Sequence, residues 1–123
     1  MSNNGYESGR LNLPFVGHCT FGKSPVCTDW DALDADVAVL GVPNDMGTQW
    51  RPGARFGPRA IREASTLMPY DPPTGWPTNP LEDLNIIDYG DCAFDYARTA
   101  DFPEVLTRHI RTILAAGAGT ITL

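Results

Sequence analysis

The residues able to do chemistry gather at two places in the chain. Asn44 and Asp45 follow the apolar run Ala35-Asp36-Val37-Ala38-Val39-Leu40, and Asp88 and Asp91 close a second run that begins at Leu84. A polar side chain just past the carboxyl end of a buried strand lines the crevice of an open α/β sheet. Asn and Asp also build turns by accepting hydrogen bonds from their own backbone, and the residues alone favour that use of Asn44 and Asp45. Two carboxylates three residues apart, Asp88 and Asp91, could begin a metal site, but turn capping and solvent contact are the plainer expectation. Arg51 and Arg55 carry planar donor forks that can clamp a carboxylate or bond loop carbonyls across a subunit boundary. Thr48 lies between these groups in the same loop, and Gly47, Gly53 and Gly57 are expected to supply positive φ there.

Other reactive groups are scattered. His18 and His109 are far apart in sequence and are expected to be structural or exposed. Cys19, Cys27 and Cys92 show no C-x-x-C spacing and no nearby His, so free and mostly buried thiols are expected. No G-x-G-x-x-G or P-loop pattern occurs, which removes the sequence support for nucleotide binding.

The elements that must position these groups follow from periodicity. The run from about Ala35 to Val42 is nearly continuous in apolar residues, as in a parallel strand covered on both faces. A loop from Pro43 to Pro58 follows, and Pro58 with Arg59-Ala60-Ile61-Arg62-Glu63-Ala64-Ser65 opens a helix. Pro69, Pro72, Pro73, Pro77 and Pro80 predict a long excursion without regular structure. Leu84 to Asp91 predicts a second strand. Asp101 as cap and Pro103 in the first turn predict a helix whose buried stripe is Leu106, Ile110, Ile113 and Leu114. Gly117 ends it, and Gly119-Thr120-Ile121-Thr122-Leu123 opens a third strand. Asp29 to Leu33 predicts one turn before the first strand. Trp50 and Trp76 suit either an active-site cover or an oligomer contact. Strand, helix, strand, helix, strand is the order of a parallel three-layer α/β domain. Residues 1–30 read as an irregular arm on the domain or on a neighbouring subunit, and 31–123 as the first part of one α/β domain.

Composition narrows the partners. The chain has 123 residues, 42% of them hydrophobic, with 15 acidic against 9 basic residues and a formal charge of −6. A nucleic acid or an anionic membrane needs a concentrated basic surface, so neither is expected. The first ten residues lack an apolar core of the secretory type, which makes a cytoplasmic location the expectation. A third strand with no helix after it would leave an apolar face in water. A longer polypeptide is therefore expected.

The loop Gly41-Val42-Pro43-Asn44-Asp45-Met46-Gly47-Thr48-Gln49-Trp50-Arg51-Pro52-Gly53-Ala54-Arg55-Phe56-Gly57-Pro58 resembles that of the ureohydrolases, the agmatinase branch of the arginase family. Thr20-Phe21, Tyr70-Asp71-Pro72 and Asn79 to Asp91 extend the resemblance. Gly22-Lys23-Ser24 departs from it, and so does Asn44, where relatives place an apolar or aromatic residue. The resemblance implies an arginase-type parallel three-layer sheet and hydrolysis of a linear guanidino compound to urea and an amine. Agmatine, guanidinobutyrate, guanidinopropionate, guanidine and substituted biguanide-like compounds are all open as substrate. It further implies two divalent metal ions, Mn²⁺ or Ni²⁺, which activate a water molecule against a resonance-stabilised cation. The metal-ligand motifs of such proteins are absent from these residues, so the chain by itself is expected to be inactive and metal-free. The resemblance places Asn44 and Asp45 at the rim of the substrate pocket. Arg51 and Arg55 are expected to serve the loop instead, because they share the charge of a guanidinium substrate. A homo-oligomer, trimer or hexamer, or an assembly with a related subunit is implied. A non-catalytic subunit of such an assembly and a small flavodoxin-like binding module are the alternatives.

Overall fold

The computed structural model describes residues 6, 8–67 and 71–123. Met1 to Gly5 of the expected arm, and Pro69 and Tyr70 of the proline-rich excursion, lie outside the described residues. Three parallel strands, β1 (Val37–Gly41), β2 (Ile86–Asp91) and β3 (Gly119–Thr122), form one sheet in the order β2-β1-β3. The helices are α1 (Gly57–Ser65), α2 (Pro80–Asp83) and α3 (Phe102–Ala115). The expected α/β order is thus observed, with β1 in the centre.

Each end of an element has a local cause. The helix after the long loop starts at Gly57, two residues before Arg59, because a 3₁₀ turn at Ala54–Phe56 leads straight into it and Pro58 occupies its first turn. Gly57 is therefore helical, whereas Gly47 and Gly53 take the expected positive φ. The proline-rich excursion does contain a short helix. Asn79 caps α2 by accepting from the Leu81 amide at 3.1 Å, and Pro80 needs no donor in a first turn. Asp29 likewise caps the turn at Trp30–Ala32, accepting from the Asp31 amide at 3.0 Å. Asp101 does not cap α3: the 3₁₀ segment Tyr96–Asp101 runs directly into the helix, and the Asp101 carboxylate pairs with Arg98 at 2.6 Å.

The core lies between β1 and α3. Ala38, Leu40, Cys92 and Ile113 are completely buried, and Tyr89 and Ala118 nearly so. On α3 the buried stripe differs from expectation at one end. Leu114 is 57% exposed, and His109 takes the inward place. Of the thiols only Cys92 is buried; Cys27 is half-buried and Cys19 exposed, because Cys19 lies on the arm rather than in the sheet.

The arm is held by its own chain. The Phe21 amide donates to Asp88 Oδ2 at 2.8 Å and the Gly22 amide to Ser65 Oγ at 2.8 Å. Val26 forms a parallel bridge with Asp88, through Cys27 N to Asp88 O at 2.8 Å and Asp88 N to Pro25 O at 2.9 Å. The outer edge of β2 is thereby covered by backbone of the same molecule, which is how sheets avoid an exposed row of donors and acceptors.

Candidate functional site

Two side chains of β2 show which face each helix covers. Asp88 meets Arg62 of α1, and Tyr89 meets His109 of α3. Successive strand residues point to opposite faces, so α1 and α3 lie on opposite sides of the sheet. The chain leaves β1 toward one face and its neighbour β2 toward the other. That divergence falls at the carboxyl ends of β1 and β2, the place where open α/β sheets receive ligands. Asn44 and Asp45 follow β1 at this edge and Asp91 ends β2 there, whereas Asp88 lies buried within β2 opposite Val39.

The structure gives the carboxylates there a specific set of partners. Arg62 Nε donates to Asp88 Oδ2 at 2.8 Å, its Nη2 to Asp88 Oδ1 at 2.9 Å, and its Nη1 to Asp91 Oδ1 at 2.6 Å. Residues three apart on a regular strand face opposite ways. Here the β1–β2 register slips between Val39 and Leu40, Gly90 takes φ 94°, and both carboxylates come to the α1 side. An extra residue in one strand and a glycine at positive φ are the marks of a bulge, which re-aims side chains in this way. Asp88 is thus a buried ion-pair partner, not a solvent-facing cap, and no local sequence signal pointed to Arg62.

Gly41 faces the same pair. A Cβ placed on it would stand 1.9 Å from Asp91 Oδ1 and 3.0 Å from the Pro58 Cβ. The end of β1 therefore admits no side chain while Asp91 holds Arg62.

In the loop after β1, Asn44 Oδ1 accepts from the Met46 amide at 2.9 Å, an Asx turn. Asp45 is buried beneath the loop. Its carboxylate accepts from Gly53 N at 2.8 Å and from Arg55 Nε at 2.9 Å, and Arg55 Nη2 lies 2.7 Å from Oδ1. The hydrogen bond from Arg55 is the main reason that the Asp45 carboxyl is held below its ordinary range. Thr48 donates its amide to Asp45 O at 3.2 Å. Arg51 is exposed beside the Trp50 ring, with its guanidinium carbon 5.9 Å from the ring centre. Arg55 serves the loop within its own chain. Trp50 and Trp76 are 80% and 59% exposed. Sequence reasoning missed Tyr96 altogether: its ring lies 4.9 Å from the Arg55 guanidinium carbon and its hydroxyl donates to the Pro43 carbonyl.

On the α3 side, Trp30 stacks on Tyr89 with centroids 5.5 Å apart and meets His109 edge-on at 4.8 Å. Tyr89 Oη lies 3.2 Å from His109 Nδ1. Burial, helped by Arg108, pushes the His109 pKa below 6.5. The lowered value favours the neutral ring, so the His109 contribution to stability is complete above pH 6.5. It is lost as pH falls through the folded value. His109→Gln should flatten the slope of stability against pH below about 6.5, as measured by urea unfolding. An unchanged slope would contradict this role.

Among the described residues no group of three or more His, Cys, Asp and Glu is placed to hold a metal ion. No helix of those residues is long and apolar enough to cross a membrane.

The profile of the arginase family matches residues 35–123. The chain belongs to the arginase family. Agmatinase of Chromobacterium violaceum is 45% identical over 118 residues, covering 96% of this chain and 36% of that protein. The human mitochondrial guanidino acid hydrolase is 40% identical over 109 residues, covering 88% of this chain and 30% of that protein. The crystal structure of a hypothetical agmatinase from Burkholderia thailandensis superposes with a TM-score of 0.78 at 38% identity, over 89% of this chain and 34% of that one. The chain therefore spans about a third of the length of the relatives it matches. Membership of the arginase family makes the three strands and two covering helices part of an arginase-type α/β sheet. It also sets aside a flavodoxin-like module.

Proposed function

We propose that this chain forms the first strands of a ureohydrolase that cleaves a linear guanidino compound to urea and an amine. The observation that carries this reading is the 45% identity to an agmatinase over nearly the whole chain, backed by a guanidino acid hydrolase at 40%. Agmatine and guanidino acids such as guanidinobutyrate are the first substrates to consider. Two divalent ions, Mn²⁺ or Ni²⁺, would supply the activated water such a substrate needs at neutral pH.

The residues described here do not fit a metal centre. Asp45, Asp88 and Asp91 each meet an arginine, and replacing Arg62 by a cation would leave a buried guanidinium unpaired. The ligands are then expected in the two thirds of the relatives' length that this chain does not match. The role of the present residues is to hold the crevice loops. A cytoplasmic trimer or hexamer, or an assembly with a related subunit, completes the proposal.

The whole protein, loaded in turn with Mn²⁺ and Ni²⁺, should release urea from at least one of agmatine, guanidinobutyrate, guanidinopropionate and guanidine. Chelation should abolish that release. Residues 1–123 alone should give no urea and no stoichiometric metal binding by calorimetry. No urea from any of these substrates with either metal would sink the proposal and favour a non-catalytic subunit.

A further inference from the structure

The loops that leave β1 and β2 are joined at one point on the carboxyl edge of the sheet. Asp45 anchors the first loop from below and fixes the Arg55 guanidinium with bonds of 2.9 and 2.7 Å. That guanidinium lies over the Tyr96 ring of the second loop, 4.9 Å from its centre. The Tyr96 hydroxyl then returns to the first loop and donates to the Pro43 carbonyl. Phe94 backs the arrangement, stacked on Tyr96 at 4.6 Å and tilted against Phe102, the first residue of α3, at 4.8 Å. The result is a closed circuit, Asp45–Arg55–Tyr96–Pro43, between the loops that leave β1 and β2, where the two chain paths diverge to opposite faces.

We propose that Tyr96 is a positioning residue for substrate specificity. With Arg55 it sets the spacing of the two crevice loops and so fixes where the distal, non-reacting end of a guanidino substrate rests. This rests on the reading of the whole protein as a guanidino hydrolase. Holding the distal end acts equally on the ground state and the transition state, so its loss appears in KM and spares kcat.

Tyr96→Phe in the whole protein keeps the ring over Arg55 and removes only the hydroxyl. KM for agmatine or guanidinobutyrate should rise about three- to tenfold, the range of one net hydrogen bond, with kcat within about twofold. Guanidine has no distal end, so its KM should not move. A general loosening of structure would weaken all substrates alike. An equal change for guanidine and the longer substrates, or no change for any, would overturn the proposal. If the wild-type protein turns over no guanidino compound, the functional reading fails first. The circuit is then judged by a double-mutant cycle of Asp45→Asn and Tyr96→Phe on thermal stability. Non-additive effects support the coupled circuit, and additive ones refute it.

Discussion

Arg62→Ala is expected to destabilise the fold by about 3–5 kcal/mol, the range for removing one partner of a buried ion pair. The Arg62 side chain is 10% exposed and that of Asp88 only 4%, so neither charge has water to fall back on. Without the guanidinium, Asp88 keeps the amides of Phe21 and Gly90, but no positive charge. The loss then reaches three places together: α1, β2 and the arm all meet at this carboxylate. Asp88→Asn should also destabilise clearly: its amide oxygen can still accept from Phe21 N and Arg62 retains Asp91, but its amide nitrogen would face the donors Gly90 N and Arg62 Nη2. Urea unfolding of the whole protein and both variants would measure this. A loss below about 1 kcal/mol for Arg62→Ala would place the pair with ordinary exposed ones.

Gly41→Ala is expected to be the next most damaging small change, at about 2–4 kcal/mol, combining overpacking with a weakened charged hydrogen bond. The added carbon would lie 1.9 Å from Asp91 Oδ1, so Asp91 must move and release Arg62 Nη1, now at 2.6 Å. Pro58 on the other side leaves little room for β1 to shift instead. Half of the Asp91 side chain is in water, which weakens the lost bond and sets the lower end of the range. The two substitutions share one network, so Gly41→Ala should add little in an Arg62→Ala background. Full additivity in denaturant unfolding would show that the clash is relieved some other way.

The alternation of elements was legible because each strand is a short apolar run and each helix has a proline at its start. Val37 to Gly41, Pro58 and Pro103 illustrate this. Local capping was partly legible: Asp29 caps as its type suggests, whereas Asp101 is diverted by Arg98 three residues earlier. The site was less legible, since its partners are remote in sequence. Arg62 and Asp88 are joined only because α1 packs on one face of β2, and Asp91 joins them only through the slip beside Gly90. A period-two reading assigns Asp88 and Asp91 to opposite faces and so hides their shared arginine. His109 replaced Leu114 in the buried stripe because Trp30 and Tyr89 offer it an aromatic wall and a hydroxyl. Tyr96 carried no motif and gained its place from two loops meeting in space.

The strand-like pairing of Val26 with Asp88 has a consequence for the order in which the molecule is made. Val26 is synthesised before its docking partner, which is translated 62 residues later, the separation of Val26 and Asp88. Until β2 has emerged and lain down on β1, the backbone groups of Pro25 and Cys27 have only water to bond. This segment leaves the ribosome before the strand it pairs with, so the outer edge of β2 is sealed only after β2 itself exists.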